Sequence, residues 1–292
     1  HIVSRRQRQM CIRDRVIRVF VMSDAGLPIG VFDSGMGGLT VLRALQVALP
    51  HESFIYLGDS ARLPYGNKSA VTVQQYALQA SAALVDRGIK ALVVACNTAS
   101  AAALPLLAQR YAPLPVFGVI EPGAQAAANA AGDGSVLVLA TEGTVMDGTY
   151  QRQLLAVNAG LTIYARACPL WVTLAEQGYA EDSQEAGTVA EAVLAHALRG
   201  FQNRPMVVLL GCTHFPIFRD KLAALLGDAA AIVDSAQTTA LQVAAAIQPT
   251  GAAKADRVGS VMFLATDGVE RFRRVGSYFL GEPIDAVELV TL

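Results

Sequence analysis

The stretch ALVVACNTAS at residues 91–100 decides the fold class of this chain, and VVLLGCTHFP at residues 207–216 repeats its pattern. In each stretch an apolar segment leads through a small residue to a cysteine and then to polar residues. This pattern is typical of a buried strand that ends in a polar loop before a helix. The repeat indicates two related halves, which would bring Cys96 and Cys212 to one cleft from opposite sides.

Short apolar runs alternate with segments of helical periodicity along the whole chain. We therefore predict an α/β fold of two pseudo-symmetric three-layer domains, with mostly parallel sheets and helices on both faces. The active site of such sheets lies at the carboxyl ends of the strands, here in the cleft between the domains. The predicted strands are Ile29–Phe32, Phe54–Leu57, Leu92–Ala95, Val116–Val119, Val136–Ala140, Leu161–Ala165, Met206–Leu210, Ala231–Val233, Val261–Ala265 and Ala286–Leu289. The clearest predicted helices are Leu39–Leu49, Val71–Val85, Ala99–Tyr111, Ala186–Leu198 and Leu241–Ile247.

The two halves suggest a domain organisation in which the chain leaves the first domain and later returns to it. We expect residues 27–118 and 235–292 to form the first α/β domain and residues 119–234 to form the second. The final strand–helix–strand segment is too small for a domain of its own, so it should complete the first sheet. Residues 1–26 are interpreted as an N-terminal extension that is disordered or artefactual, because this Arg-rich stretch resembles nothing else in the chain.

The composition narrows the class of protein. The chain has 292 residues, of which 53% are hydrophobic, and its net charge of −1 predicts no nucleic-acid partner. Its four cysteines include no CxxC pair, so reduced thiols are expected rather than a disulfide scaffold or a zinc ribbon. No apolar run reaches the roughly 18 residues of a membrane span, so no membrane association is expected.

Cys96 follows a predicted strand and precedes a predicted helix. A free cysteine is most often a small buried hydrophobe. At a helix N-terminus, however, backbone N–H groups and the helix dipole favour a thiolate, so the thiol pKa is expected to fall below its reference of roughly 8.5. Asn97 and Thr98 could hold a substrate carboxylate or simply cap the helix.

The loop that contains Cys212 and His214 could hold a thiolate–imidazolium pair. Zinc is the rival interpretation, but two such residues do not supply four ligands, so no metal is expected. The loop DSGMGG matches neither G-x-G-x-x-G nor a P-loop. Its Asp33 is a candidate partner for a thiol proton or a helix cap, and its Ser34 could bind a carboxylate or support the turn.

Two further segments remain ambiguous when each is read alone. Tyr65 and Gly66 offer a phenol and an unhindered backbone N–H to a ligand, but a structural turn explains them equally well. Glu176 lies on a predicted helix after Cys168 and Pro169, where a surface glutamate is the ordinary interpretation.

Taken together, these motifs resemble the bacterial glutamate racemases, within the wider aspartate/glutamate racemase family. The resemblance covers residues 27–292, and the combination of CNTAS with GCTHFP, each with its own cysteine, is quite specific. The matching strings are IGVFDSGMGGLTVL, YLGDSARLPYGNKS, VVACNTASA, GVIEPGA, CPLWVTLAEQG, LLGCTHFP and VDSA.

The resemblance implies a role for each matching residue. Cys96 corresponds to the thiol that removes the α-proton from D-glutamate, and Cys212 to the thiol that acts on L-glutamate. Asp33 corresponds to the carboxylate that assists the first thiol, while His214 and Glu176 correspond to the groups that assist the second. The catalytic set implied is therefore Cys96, Cys212, Asp33, His214 and Glu176, and the substrate-binding set is Asp33, Ser34, Tyr65, Gly66, Asn97, Thr98, Thr144, Thr213 and His214.

The resemblance also implies a cofactor-independent isomerase, usually a homodimer, that supplies D-glutamate for peptidoglycan synthesis and cell shape in the cytoplasm. The lysine content of the chain also argues against pyridoxal phosphate as a cofactor, because a pyridoxal phosphate enzyme needs a Schiff-base lysine. Only four lysines occur in the chain, and none lies in the strand-end loops singled out above. We therefore expect two thiols to carry the proton transfers directly.

Other functions stay open on the sequence alone. The same site could racemise aspartate, a hydantoin or another amino acid, or catalyse a related decarboxylation. Cys212 and His214 could serve a cysteine hydrolase, which would have no need of Cys96. A binding module could hold an acidic amino acid without turning it over.

Overall fold

The computed structural model describes residues 26–180, 184–201, 204, 206–247 and 258–292. The strands are β1 (Ile29–Asp33), β2 (Phe54–Gly58), β3 (Ala91–Val94), β4 (Val116–Gly118), β5 (Ser135–Ala140), β6 (Thr162–Ala167), β7 (Met206–Gly211), β8 (Ala230–Asp234), β9 (Val261–Ala265) and β10 (Glu288–Leu289). The α-helices are α1 (Leu39–Ala48), α2 (Ala70–Val85), α3 (Asn97–Tyr111), α4 (Ile120–Ala131), α5 (Glu142–Asp147), α6 (Thr149–Val157), α7 (Pro169–Glu176), α8 (Gln184–Ala197), α9 (Arg219–Leu226), α10 (Ser235–Ala246) and α11 (Val269–Leu280).

These strands form two sheets. The first sheet has the order β10-β9-β2-β1-β3-β4 and the second has the order β6-β5-β7-β8. Every strand pairing within the described residues is parallel. The predicted α/β fold with two parallel sheets and alternating helices is therefore confirmed.

Helices cover both faces of the first sheet because successive strand residues point to opposite sides. In β1, Ile29 and Val31 pack into the cluster that contains Leu42 of α1. Phe32 points the other way, into the cluster that contains Val73 of α2 and Leu107 of α3. Apolar residues at every strand position are what a sheet buried on both faces requires.

The chain crosses between the sheets in the order that the sequence predicts. Strands β1 to β4 belong to the first sheet, β5 to β8 to the second, and β9 and β10 return to the first. The final segment thus completes the first sheet. The domain boundaries at 118/119 and 234/235 stay a prediction, and the predicted N-terminal extension lies, apart from Gly26, outside the described residues.

Several element boundaries differ from the predicted ones for local reasons. Helix α10 begins at Ser235 rather than Leu241, because the Asp234 carboxylate accepts hydrogen bonds from the N–H groups of Ala236 and Gln237 and caps it. Helix α4 was not among the predicted helices, because Pro122 and Gly123 are residues that usually interrupt a helix. Pro122 lies in the first turn of α4, where a proline is tolerated.

No helix in the described ranges has both the length and the apolar character that crossing a bilayer demands.

Candidate active site

Cys96 lies at the junction between β3 and α3 and forms the N-cap of that helix. Its Sγ accepts a hydrogen bond from the Ala99 N–H at 3.5 Å and donates one to Ser34 Oγ at 3.4 Å. The side chain is buried, with 5% of the residue exposed. The predicted position at a strand end is therefore observed, and the sulfur faces the loop that follows β1.

The pKa expected for this thiol from its position at a helix N-terminus is wrong. Burial, and to a smaller extent the nearby charge of Asp33, raises the pKa of Cys96 to about 12. The hydrogen bonds from Ser34 and Ala99 act in the opposite direction but are outweighed. A buried thiolate loses more stabilisation from water than a single helix N-terminus provides in exchange.

Asp33 ends β1 and is fully buried beside the two thiol loops. Its carboxylate accepts hydrogen bonds from the Gly35 N–H at 2.9 Å and from Thr213 Oγ1 at 3.5 Å. Burial raises the pKa of Asp33, whereas the charge of His214 lowers it. A carboxyl group with a raised pKa accepts a proton more readily than a solvent-exposed one, which suits a group that assists a thiol.

Cys212 follows β7, and His214 is two residues further along the same loop. His214 Nδ1 lies 3.9 Å from Cys212 Sγ, and its Nε2 lies 3.0 Å from Glu176 Oε1. Although burial lowers the pKa of His214, hydrogen bonds with Cys212 and Glu176 raise it to about 10. The imidazole is therefore charged at neutral pH and can stabilise a thiolate at Cys212.

Glu176, at the end of α7, is buried and holds two cations. Its Oε1 pairs with His214, and its Oε2 accepts a hydrogen bond from Arg271 Nη2 at 2.8 Å. Burial raises the pKa of Glu176, but His214 and then Arg271 outweigh burial and lower it. The surface glutamate that its local sequence suggests is thus an interior carboxylate, and Arg271 is a partner that the sequence analysis missed.

The loop after Cys212 differs from the loop after Cys96 in one respect. A 3₁₀ helix, Phe215–Phe218, follows it instead of an α-helix, with Pro216 in its first turn. The imidazole of His214 therefore supplies the positive charge beside Cys212 that a long helix N-terminus would otherwise offer.

Asn97 and Thr98 open α3 and border the space between the two sheets. Tyr150 donates a hydrogen bond from its hydroxyl to Asn97 Oδ1 at 2.6 Å, which fixes the orientation of the amide. Asn97 Nδ2 is buried and has no hydrogen-bond partner among the described residues. The side chain is therefore held with one donor available, as a carboxylate-binding group requires.

Three threonines join the two halves beside this helix. Thr98 Oγ1 lies 3.0 Å from Thr141 Oγ1 and 3.2 Å from Thr144 Oγ1. Thr141 borders the cavity described below, whereas Thr144 lies behind it, bonded to both of the others. Both threonines belong to the loop after β5 that the strand-end rule singles out, and the substrate-binding role of Thr144 stays a prediction.

Tyr65 and Gly66 form part of a short 3₁₀ helix at the edge of the same space. The Tyr65 hydroxyl donates a hydrogen bond to Asp59 Oδ2, so the phenol is already engaged. At Gly66 a Cβ atom would lie 2.6 Å from Thr141 Cβ, so glycine allows the two halves to approach each other here. The backbone at these positions, rather than the phenol, is what remains for a ligand.

Both cysteines border one small cavity with a volume of about 20 Å³. A larger groove of about 660 Å³ lies elsewhere, between α1, α10 and α11, and has no cysteine in its lining. Three of the predicted residues do not border the cavity but contact residues that do: Asp33, Thr144 and Glu176. The predicted residues in the lining are Ser34, Tyr65, Gly66, Cys96, Asn97, Thr98, Cys212, Thr213 and His214, and those that were not predicted are Leu63, Pro64, Thr141 and Val172.

Comparison with known proteins agrees with this geometry. A family model described as Asp/Glu/Hydantoin racemase matches residues 36–243. A glutamate racemase of Thermus thermophilus is 42% identical over 271 residues, which cover 93% of this chain and 99% of that protein.

Solved structures give the same result. The glutamate racemase isoform RacE1 of Bacillus anthracis matches with a TM-score of 0.82 at 35% identity, covering 91% of this chain and 98% of its own. The glutamate racemase of Francisella tularensis, solved in complex with D-glutamate, matches with a TM-score of 0.82 at 32% identity and the same coverage. With a cysteine from each half at one cavity and these relatives over most of its length, the chain belongs to the Asp/Glu/Hydantoin racemase family.

Proposed function

We propose that this chain is a cofactor-independent glutamate racemase, which interconverts L- and D-glutamate by proton transfer through Cys96 and Cys212 on opposite faces of the α-carbon. The observation that carries the proposal is that two buried thiols, one following a strand of each sheet, border the same cavity. The relatives described as glutamate racemases support glutamate as the substrate.

The charges of the site indicate which enantiomer the resting protein accepts. Burial and Asp33 keep Cys96 protonated, with a pKa of about 12, while Cys212 lies beside the charged imidazole of His214. In this state Cys212 removes the α-proton of L-glutamate and Cys96 donates a proton to the opposite face. D-glutamate requires the reverse arrangement, for which we assign Asp33 as the group that takes up the proton of Cys96.

Deprotonation at the α-carbon moves negative charge onto the substrate carboxylate. The hydrogen-bond donors at the cavity that could stabilise this charge are the amide of Asn97, the N-terminus of α3 at Thr98 and the hydroxyl of Thr213. Fixed donors in a site closed to water stabilise this charge without reorganisation during the reaction.

A chirality-resolved assay with L- and D-glutamate and no added cofactor tests the proposal. The wild-type protein should bring either enantiomer to a racemic mixture, whereas Cys96→Ala and Cys212→Ala should each abolish the reaction. Cys168→Ala is the matched control, since this third buried cysteine lies outside the cavity lining, and it should stay active. Full racemisation by either active-site variant would refute the two-thiol assignment.

Two further measurements separate the alternatives. In D₂O the product formed from protonated substrate should carry α-deuterium, because a thiol exchanges its proton with solvent; complete retention of hydrogen would contradict the mechanism. With aspartate in place of glutamate, turnover should be at least tenfold lower, and the opposite preference would make the chain an aspartate racemase. Tight glutamate binding without turnover would indicate a binding module.

The biological setting is part of the same proposal and rests on the family resemblance. We propose that the enzyme works as a homodimer in the cytoplasm and supplies D-glutamate for peptidoglycan. Expression of the chain should restore growth to a bacterium that requires D-glutamate, and light scattering of the purified protein should give twice the mass of one chain.

A further inference from the structure

Helix α11, which belongs to the first sheet, contacts the residues that assist Cys212 in the second. Cys212, His214 and Glu176 all lie in the segment that builds the second sheet, whereas α11 follows β9 of the first. Two side chains of α11 make the contact. Arg271 pairs with Glu176 Oε2 at 2.8 Å, and the ring of Phe279 packs edge-on against the imidazole of His214, with centroids 5.1 Å apart.

The contacts form one continuous chain of charges from solvent to the thiol. The Arg271 side chain is 39% exposed, while the side chains of Glu176 and His214 are 7% and 4% exposed. Each oxygen of the Glu176 carboxylate has one cationic partner, so the carboxylate cannot rotate without breaking one of the pairs. Its orientation in turn fixes the ring of His214, whose other nitrogen faces Cys212 at 3.9 Å.

We propose that Arg271 is a positioning residue for the proton transfer at Cys212: it holds the Glu176 carboxylate in the orientation that directs the imidazole of His214 at Cys212. This inference rests on the proposed function. It also makes one of the two thiols dependent on a residue from the opposite half of the molecule. On the Cys96 side, by contrast, the hydrogen-bond partner Ser34 and the neighbouring Asp33 come from β1 and its loop, in the same half as Cys96, and in the described part of the chain neither forms a hydrogen bond or an ion pair with Arg271.

The charged groups around His214 explain why removal of Arg271 would affect the imidazole. Glu176 from α7, Cys212 from the preceding residues and Asp33 from β1 are the titratable groups that interact with it. Without Arg271, the buried Glu176 keeps a single cationic partner and loses the contact that fixes its second oxygen. A buried carboxylate that loses a partner turns towards other donors or takes up a proton, and both changes weaken its hold on His214.

The test compares Arg271→Gln and Arg271→Lys with the wild-type enzyme. Arg274→Gln is the matched control, because it removes the same charge from an exposed position of the same helix. We expect kcat/KM for glutamate racemisation to fall about tenfold in Arg271→Gln, a modest loss because solvent partly screens this guanidinium. Arg271→Lys should recover part of the loss, and Arg274→Gln should behave as wild type.

A reaction that needs only one of the two thiols can distinguish a positioning role of Arg271 from a general structural defect. With 3-chloroglutamate, one thiolate removes the α-proton, the electron pair forms the Cα–Cβ double bond and chloride leaves. The product then takes up water and releases ammonia to give 2-oxoglutarate, so only one of the two thiols is needed. The L-configured substrate uses Cys212 and the D-configured substrate uses Cys96.

The expected result is a loss of about tenfold in elimination from the L-configured substrate by Arg271→Gln, with less than a twofold change for the D-configured one. Equal losses with both substrates, or wild-type rates with both, would overturn the role of Arg271. A wild-type protein that neither racemises glutamate nor eliminates chloride would instead refute the proposed function. If Arg271→Gln does not fold, Arg271→Lys decides by the same ratio of the two rates.

Discussion

At the scale of single residues, the glycine-rich loop after β1 shows what a motif alone leaves open. A Cβ atom on Gly37 would lie 2.3 Å from His214 Nδ1, and one on Gly38 would lie 2.5 Å from Asp33 Cβ. The glycines therefore provide space for an imidazole and a carboxylate from other parts of the site. The sequence excluded a phosphate-binding loop at this point, but it did not indicate what the glycines accommodate.

Gly37→Ala should consequently reduce racemisation without unfolding the protein. The added methyl group has to displace the imidazole of His214, and a misplacement of about 1 Å in an active site costs roughly 10²-fold in rate. The measurement is kcat/KM together with the thermal unfolding midpoint. Gly187→Ala on α8, where no atom lies within 4 Å of the added Cβ, is the matched control and should retain full activity. Equal activity of both variants would contradict this account of Gly37.

Tyr150→Phe tests the orientation of the Asn97 amide. The change removes the hydroxyl that donates to Asn97 Oδ1 and leaves that buried oxygen unpaired, at a cost of about 1 kcal/mol or more. The amide can then turn its oxygen towards the substrate carboxylate, so KM for glutamate should rise about tenfold while kcat changes less. Steady-state kinetics measure both values, with Tyr164→Phe at a partly exposed position as the control. An unchanged KM would show that Tyr150 does not position the amide.

At the scale of secondary-structure elements, α7 and α11 enclose the loop that carries His214. Helix α7 contributes Glu176 from the second half, and α11 contributes Arg271 and Phe279 from the first. Neither helix carries a group that reacts with substrate in the proposed mechanism. The packing of α7 nevertheless contributes to the charge of the imidazole, because Glu176 acts together with Cys212 to raise the pKa of a ring that burial alone would leave neutral.

The pH dependence of stability should reveal the interaction between His214 and Glu176. His214 has a pKa of about 10 in the folded protein against 6.5 for the ordinary side chain, so it binds its proton more tightly when folded. Its contribution to stability is full below pH 6.5 and is lost as the pH rises through about 10. The free energy of unfolding should therefore decrease over this window, by at least about 1 kcal/mol.

Urea unfolding at pH 6.5, 8 and 9.5 measures the decrease, and Glu176→Gln provides the comparison. This variant removes one of the two groups that raise the pKa of His214 by hydrogen bonding, so its stability should change less with pH. The same slope in both proteins would mean that Glu176 does not set the charge of the imidazole.

At the scale of the whole molecule, the two halves are closed on each other. The space between the thiols admits about one water molecule, which is far less than a glutamate needs. Contacts across the gap include Thr98 with Thr141 and Asp33 with Thr213. Substrate must therefore enter a more open arrangement, and the closed one then excludes water during the proton transfers.

The only tryptophan of the chain offers a probe of this opening. Trp171 lies on α7, buried against Phe215 and next to Val172 of the cavity lining. Upon rapid mixing with glutamate, the rate of its fluorescence change should reach a plateau at high substrate concentration, because opening then limits binding. A rate that grows linearly throughout the accessible concentration range would contradict a closed resting state. Trp171→Phe should abolish the signal and identifies its source.

The alternation of strands and helices, the parallel sheets and the strand-end loops that contain Cys96 and Cys212 could all be predicted from the amino-acid sequence. These features follow from the periodicity of apolar residues and from the rule that loops at the carboxyl ends of parallel strands form the site, both of which are local properties of the chain. The start of α10 was predicted too late, at Leu241 instead of Ser235, because the capping role of Asp234 was not recognised.

Three properties became visible only in the folded chain: Glu176 is an interior carboxylate, Arg271 pairs with it from 95 positions away, and burial keeps the Cys96 thiol protonated. No local pattern encodes these properties. The charge of a buried group depends on how much water the packed structure removes and which partners other elements bring within hydrogen-bond distance.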